Sequence, residues 1–272
     1  MNLSFWTLGT PGWSNEGVVD AARRLGYAGV DLRCAANGNI SLQSSAEDIV
    51  ALRDLFDANG IEIASLLGYN QRGNEEGVDW DAVTADLVAH AALCVRLGTP
   101  NLRVNVGEPA RDSNWAAYIE GFSGSVTRAL SMVEGVVMNV QNHPGSITAA
   151  QAAELSALVD DERFGIGFSP DHCVDMGEDP VALASQVGLW VRQVHLADRE
   201  SAGGATVGGK LRACIPGEGI VRNREVLEVL QSRGFDGWVS FKWEKPTYPD
   251  LPDAEVALPK FVAFMSALQM AR

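Results

Sequence analysis

Long apolar runs and basic residues are scarce in this chain of 272 residues, and the pattern of its first residues does not predict a secretory leader. No stretch of about 18 apolar residues occurs, so the sequence predicts no membrane-spanning helix. The first residues lack the basic and apolar segments of a signal peptide. Lysine and arginine total 21 against 35 aspartate and glutamate, giving a formal net charge of −14 at pH 7. That balance argues against nucleic acid or a membrane surface as a partner, because phosphate binding needs a basic face.

Cysteine is also sparse, and its positions show no CxxC spacing. The four cysteines are Cys34, Cys94, Cys173 and Cys214. This scatter excludes a zinc-finger or a small disulfide framework, and free thiols are typical of a reducing compartment. We therefore predict a cytoplasmic protein, and leave a homo-oligomer open.

Short β-rich runs alternate with helix-length segments along the whole chain. Strands are predicted at residues 3–8, 29–33, 61–67, 101–106, 136–140, 164–168, 191–196 and 237–241. Helices are predicted from Ser14 to a cap at Gly26, from Ser45 to Gly60, and at 80–98, 147–159, 223–234 and 253–269, the last kinked at Pro259.

Strict alternation of strand and helix indicates a parallel sheet. Eight pairs within about 270 residues favour a closed barrel over an open doubly wound sheet. The first strand is not followed by GxGxxG or GxxxxGK[ST], which weakens a dinucleotide-binding or P-loop interpretation. No Ser/Gly/Pro-rich linker divides the chain. We predict an α/β fold, a single (β/α)8 TIM barrel, with one domain over residues 1–272.

Polar side chains are predicted to line the inside of this barrel, because successive side chains on a strand point to opposite faces. The inward set is Asp31, Arg33, Arg103, Asn105, Asn139, Gln141, Ser169, Gln193, His195, Ser240, Lys242 and Glu244. A purely structural barrel would fill these layers with branched aliphatic residues. Polar groups at the carboxyl ends of several strands indicate an active site there.

Several motifs together resemble one family. Residues 141–145 (QNHPG) are similar to its ENHPG segment, and residues 169–172 (SPDH) are similar to its D-P-x-H motif. Residues 193–198 (QVHLAD) are similar to V-H-L-x-D, and residues 216–219 (PGEG) match P-G-x-G. Residues 234–244 (GFDGWVSFKWE) are similar to G-Y-x-G-W-x-S-x-E-x-E. The chain thus resembles the xylose isomerase-like TIM barrels, which include sugar isomerases and epimerases, hydroxypyruvate isomerases, inosose dehydratases and endonuclease IV-type enzymes.

The resemblance implies a divalent metal bound by Glu, Asp, His and Glu at the ends of strands five to eight. The matching positions here are Gln141, Ser169, His195 and Lys242. This set offers no anionic ligand to a hard ion, and the ammonium would repel it. We therefore predict no cofactor and disfavour a divalent metal. A relocated ion is the alternative, with candidate ligands His172, His195, Asp171 and Glu244.

The altered site suggests a metal-free enzyme that moves a proton next to a carbonyl of a small polyhydroxy or acidic sugar-like substrate. The candidate catalytic residues are Lys242, His195, His172 and Glu244. The Lys242 ammonium would stabilise an enolate, or its amine would act as a base or Schiff-base nucleophile. The candidate substrate-binding residues are Arg33, Arg103, Asn105, Asn139, Gln141, Ser169 and Trp13, with Trp13 against a substrate ring.

Three alternatives stay open at this point. Lys242 could simply form an ion pair with Glu244, Asp198 or Asp171. The barrel could be a non-catalytic descendant that binds a sugar or a partner subunit. The glycine-rich segment 201–210 could be a lid over the barrel mouth or a mobile connector.

Overall fold

The computed structural model describes residues 1–69, 77–107, 115–200 and 211–270, without the side chains of residues 269 and 270. The glycine-rich segment 201–210 lies outside the described residues. None of the helices in these ranges is both long enough and apolar enough to cross a membrane.

Eight parallel strands form one sheet that curls into a barrel. They are β1 Asn2–Phe5, β2 Gly29–Cys34, β3 Glu62–Gly68, β4 Asn101–Val104, β5 Val137–Gln141, β6 Phe164–Phe168, β7 Val191–Leu196 and β10 Trp238–Phe241. Their spatial order is β1-β10-β7-β6-β5-β4-β3-β2. A parallel bridge between Trp6 and Asp31 joins the two ends. The predicted (β/α)8 TIM barrel is confirmed.

Helices connect the strands on the outside of the barrel. They are α1 Asn15–Leu25, α2 Ala46–Ala58, α3 Trp80–Leu97, α4 Trp115–Met132, α5 Ala149–Val159, α6 Pro170–Asp175, α7 Pro180–Val187, α8 Asn223–Ser232 and α9 Ala254–Met270. The predicted caps of α1 are present: the Ser14 hydroxyl accepts from the Gly17 N–H, and Gly26 adopts the left-handed conformation. Pro259 lies inside α9, which continues beyond it.

The first strand is shorter than predicted. It ends at Phe5, and a 3-10 turn at Thr7–Gly9 replaces residues predicted as strand. The Thr7 hydroxyl accepts from the Arg33 N–H and donates to the Asp31 carbonyl, so a side chain takes the place of a backbone ladder partner. Glycine fits at the end of this turn because a Cβ at Gly9 would lie 2.9 Å from the Cβ of Trp243.

Two further differences lie at the carboxyl ends of the strands. The short helix α6 follows β6 directly, and a hairpin of β8 Asp198–Glu200 and β9 Arg212–Cys214 follows β7. Neither element has a strong hydrophobic period, which is why the sequence pattern missed both. Both matter, because they bring charged residues to the mouth of the barrel.

Candidate active site

A buried carboxylate stands at the centre of the barrel, below the mouth. Asp31 accepts hydrogen bonds from the Ser4 hydroxyl, the Ser65 hydroxyl and the Gln193 amide, each at 2.6 Å. Burial raises the pKa of the Asp31 carboxyl, and these hydrogen bonds oppose the shift. The Ser240 hydroxyl accepts from Gln193 at 2.7 Å and completes the layer. The predicted inward positions of Asp31, Gln193 and Ser240 are thus found in one polar layer that supports the site above.

Three of the predicted substrate-binding residues form one network above this layer. The Gln141 amide oxygen accepts from Arg103 Nε at 2.9 Å and Nη2 at 2.7 Å. The Gln141 amide nitrogen donates to the Ser169 hydroxyl at 2.7 Å. Arg103 also donates to the Gly68 carbonyl, as does the Asn105 amide at 3.4 Å. An arginine, an amide and a hydroxyl therefore satisfy one another here.

Lys242 lies at the other side of the same mouth, with its side chain fully buried in an ion pair. Its Nζ lies 2.6 Å from Asp171 Oδ2 and 2.6 Å from His172 Nε2. Among the partners considered from sequence, the structure thus selects Asp171. Burial raises the pKa of the Asp171 carboxyl, but the charges of Lys242 and Arg199 outweigh burial and hold the pKa well below its usual range.

His172 is held as a neutral ring next to the ammonium. Its Nδ1 lies 2.7 Å from the Asn142 carbonyl oxygen, which can only accept, so Nδ1 carries the proton. Nε2 then accepts from Lys242. Burial and the charge of Lys242 place the pKa of His172 well below its ordinary value. Both ring nitrogens of His172 are thus engaged, Nδ1 as a donor and Nε2 as an acceptor.

Arg199 completes a charge-balanced cluster, and sequence reasoning missed it. Its Nη2 lies 2.7 Å from Asp171 Oδ2 and 2.7 Å from Asp175 Oδ2. Two cations, Lys242 and Arg199, therefore face two carboxylates, Asp171 and Asp175. Arg199 lies on β8 and Asp175 ends α6, the two elements without a clear sequence period. Only its position directly after the seventh-strand motif, residues 193–198, could have indicated Arg199.

Asp198 is held elsewhere. Its carboxylate accepts from the backbone N–H groups of Gly217, Gly219 and Val221, so it anchors the 216–219 loop rather than pairing with Lys242. Asp198 in the motif of residues 193–198 therefore has a structural role, which is to hold the 216–219 loop.

His195 and Asn139 face each other deep in the barrel. A Cβ at Gly167 would lie 2.5 Å from Asn139 Oδ1 and 2.8 Å from His195 Cε1, so the two side chains meet where this glycine leaves room. Within the described part of the chain, neither ring nitrogen of His195 and neither amide atom of Asn139 has a hydrogen-bond partner. Burial, followed by the charges of Arg103 and Lys242, places the pKa of His195 well below its ordinary value. His195 is therefore neutral at pH 7.

Two cavities open at the mouth, and the candidate residues divide between them. One of about 690 Å³, the His172 cavity, is lined by His143, His172, Asp175, Arg199, Glu244 and Tyr248 among others. The other, of about 740 Å³ and here named the Trp13 cavity, includes Trp13 and Arg33 in its wall. The structure thus brings His172 and Glu244 to one cavity, and places Trp13 and Arg33 at the other.

The family's metal positions do not fit a divalent ion in this chain. Gln141 bonds both Ser169 and Arg103, and Lys242 places an ammonium in the set. His195 is the one imidazole left at these four positions. A hard cation needs several oxygen ligands with negative charge, and this set supplies none.

The relocated metal set is only partly assembled. Among the described residues, Asp171, His172 and Asp175 bring ligand atoms within 4.8 Å of one another, without His195 or Glu244. Lys242 and Arg199 already neutralise both carboxylates, and both nitrogens of His172 are engaged. This group therefore suits an internal ion-pair cluster better than a metal.

Comparison with known proteins finds one family whose sequence model matches most of this chain. The sequence profile of the family described as "Xylose isomerase-like TIM barrel" matches residues 19–265. The rhizopine catabolism protein MocC of Rhizobium meliloti is 26% identical over 256 residues, which cover 85% of this chain and 74% of that protein.

Two further proteins are similar at lower identity or coverage. An inosose dehydratase of Lacticaseibacillus casei is 22% identical over 144 residues, covering 49% of this chain and 48% of that protein, so the match spans about half of that relative. The crystal structure of the probable 3-DHS dehydratase AsbF from Bacillus anthracis has a TM-score of 0.76 at 19% identity, covering 98% of this chain and 99% of the other. At that identity the likeness shows the fold alone.

Proposed function

Because the chain belongs to the xylose isomerase-like TIM barrel family, we propose that it is an enzyme that moves a proton next to the carbonyl group of a small sugar-like substrate, and that it does so without a divalent metal. Two of the similar proteins are dehydratases by name, for inosose and for 3-DHS. The single observation that carries the metal-free part is the Lys242 ammonium at a metal-ligand position, 2.6 Å from His172 Nε2.

Lys242 supplies the positive charge that the reaction needs. An enolate forms when a proton leaves the carbon beside a carbonyl, and its oxygen becomes negative. A preorganised cation in a site closed to water stabilises that oxygen strongly. Lys242 lies buried behind His172, which lines the cavity, so we propose that the ammonium acts on the substrate oxygen through its charge rather than by giving up a proton.

Glu244 is the candidate base that removes the carbon-bound proton. It lies two residues beyond Lys242 and lines the His172 cavity, half-buried. The proton passes from carbon to the Glu244 carboxylate, and the positive charge of Lys242 stabilises the enolate oxygen that forms. Return of a proton to carbon gives an isomer or epimer, and loss of a neighbouring hydroxyl as water gives a dehydrated product. Asn139 and His195 lie deep in the barrel and line neither cavity, so this proposed step gives them no contact with substrate.

Proton exchange tests this proposal directly. The protein is incubated in D₂O with inosose and with 3-dehydroshikimate, in the presence of EDTA, and deuterium uptake and dehydration are followed by NMR and ultraviolet absorbance. We expect exchange to persist in EDTA and to fall about 10²–10⁴-fold in Glu244→Gln and in Lys242→Met. The matched control is Lys260→Met, which removes a surface lysine paired with Glu218 at 2.8 Å. Activity that requires added metal would contradict the proposal.

A second candidate function is sugar binding without turnover. It is favoured by the complete burial of Lys242 in its ion pair with Asp171, which opposes nucleophilic attack on a carbonyl. Borohydride reduction in the presence of inosose distinguishes Lys242 as a Schiff-base nucleophile from Lys242 as a charge that stabilises an enolate, because only a Schiff base is trapped covalently. Ligand binding with neither trapping nor proton exchange would favour this second function.

The cysteines and the net charge support proposals about the compartment of the protein and the kind of molecule it binds. All four cysteines are free and buried, which supports our proposal of a cytoplasmic protein. The acidic net charge of −14 supports a small-molecule substrate rather than nucleic acid. A homo-oligomer stays a prediction.

A further inference from the structure

The two cavities at the mouth share one wall. Pro246 lines the Trp13 cavity, and Glu244 and Thr247 line the His172 cavity, so the segment 244–247 separates them. Each volume, about 740 and about 690 Å³, falls within the range of about 300–1,000 Å³ typical of a complete ligand pocket. The mouth therefore offers two neighbouring spaces where a monosaccharide needs one.

The Trp13 cavity has the chemistry of a binding surface rather than a reaction centre. Its described lining contains no histidine, lysine, cysteine or aspartate. It presents instead the amides Asn15, Asn37 and Asn39 together with the indole of Trp13. Amides bond the hydroxyl groups of a sugar, and an aromatic face packs against the C–H face of a sugar ring.

The polar groups of this cavity are already oriented. Asn39 Nδ2 donates to Asn15 Oδ1 at 2.9 Å, which leaves the Asn15 amino group and the Asn39 oxygen outside that bond. Arg33 Nη1 donates to the Asn37 carbonyl, and its Nε is buried without a partner in the described residues. The wall thus holds both donors and acceptors in fixed positions, as an uncharged polyol requires.

We propose that the Trp13 cavity binds a second sugar ring, so that the substrate is a glycoside with its reacting ring in the His172 cavity. This inference rests on the proposed function for the identity of the reacting ring. The second ring packs on Trp13, and its hydroxyls bond Asn15 and Asn39. Glu16 in the same wall offsets the charge of Arg33, which favours an uncharged ring over an anionic group.

Calorimetric titration of the full chain tests this proposal without any turnover. D-glucose is compared with maltose and cellobiose, and D-gluconate serves as the anionic probe. We expect at least one disaccharide to bind about tenfold more tightly than glucose. Trp13→Ala should abolish that advantage while glucose affinity stays unchanged. Asn39→Ala should reduce the advantage and serves as the second variant if Trp13→Ala fails to fold, which thermal melting reports.

The possible results separate clearly. Equal affinity for one and two rings, absence of measurable disaccharide binding, or an advantage retained in both variants overturns the proposal. Gluconate binding that exceeds glucose binding and disappears in Arg33→Ala also overturns it, in favour of an anion site. Failure of the proposed function would show differently, as absent proton exchange with intact, Trp13-dependent disaccharide binding.

Discussion

Removing the charge of Asp171 is the sharpest perturbation of the buried cluster. Asp171→Asn keeps the shape of the side chain but leaves Lys242 and Arg199 facing each other with one carboxylate less. Both cations lie within 2.7 Å of the same oxygen, Asp171 Oδ2. Lys242 is completely buried and Arg199 nearly so, so water cannot take over the lost interaction.

The expected cost is large because the partner charges stay buried. Breaking a buried ion pair by removing one partner costs about 3–5 kcal/mol. The matched control is Glu218→Gln, which breaks an ion pair of similar length, 2.8 Å, whose side chains are about half exposed. An exposed pair contributes at most about 1 kcal/mol. The two substitutions make the same chemical change and differ in burial.

Urea unfolding followed by circular dichroism measures both losses. The double variant Asp171→Asn/Lys242→Met should be more stable than the sum of the single losses implies, because the orphaned ammonium is gone. A loss for Asp171→Asn no larger than that for Glu218→Gln would refute the reasoning. Strict additivity of Asp171→Asn and Lys242→Met would refute it as well.

Three further predictions concern the barrel interior. Burial lowers the pKa of His172 and His195 in the folded protein, so below about pH 6.5 the unfolded chain binds more protons than the folded one. As the pH is lowered through this range, the free energy of unfolding should fall by about 1.4 kcal/mol per pH unit for each of the two histidines. Urea titrations at several pH values measure this slope, and His195→Gln should lower it by the share of one histidine; an unchanged slope would contradict the assignment. Asp31→Asn turns an amide nitrogen towards groups that donate hydrogen bonds to the carboxylate. In the same assay it should lower the free energy of unfolding by about 1–3 kcal/mol. Unchanged stability would argue against the buried hydrogen-bonded layer. Gly167→Ala places a Cβ 2.5 Å from Asn139 Oδ1 and should lower the free energy of unfolding by about 1–3 kcal/mol. The control Gly124→Ala, on α4 with open space around it, should not destabilise the protein. Equal effects of the two substitutions on thermal unfolding would contradict the close packing.

The sequence predicted the barrel well because its signal is periodic and repeated. Strand–helix alternation gives the sheet and its order. Side-chain alternation along β5 and β7, and continued one residue beyond β10, correctly places Gln141, His195 and Lys242 inside. The boundary at β1 was wrong because the Thr7 side chain replaces a backbone partner. Such a substitution depends on a tertiary contact that no local pattern encodes.

The sequence predicted many of the residues of the candidate site, but not which of them contact one another. The sequence identified Lys242 and three possible partners, and only the structure shows that Asp171 is the partner and that Arg199 shares it. Arg199 was missed because β8 has three residues, too few for a period. The division of Trp13 and Glu244 between two cavities depends on the path of the 244–247 segment, which sequence patterns do not determine.

Metal analysis tests most directly the central claim that Lys242 takes the place of a divalent ion. The full chain is purified from medium containing Mn²⁺, Mg²⁺ and Zn²⁺, and its metal content is measured by mass spectrometry. The control is Gln141→Glu/Ser169→Asp/Lys242→Glu, which places carboxylates at the three positions where the family resemblance implies them. We expect no stoichiometric metal in the natural chain and metal in the restored variant. One tightly bound ion per natural chain, held at Gln141, Ser169, His195 and Lys242, would contradict the claim.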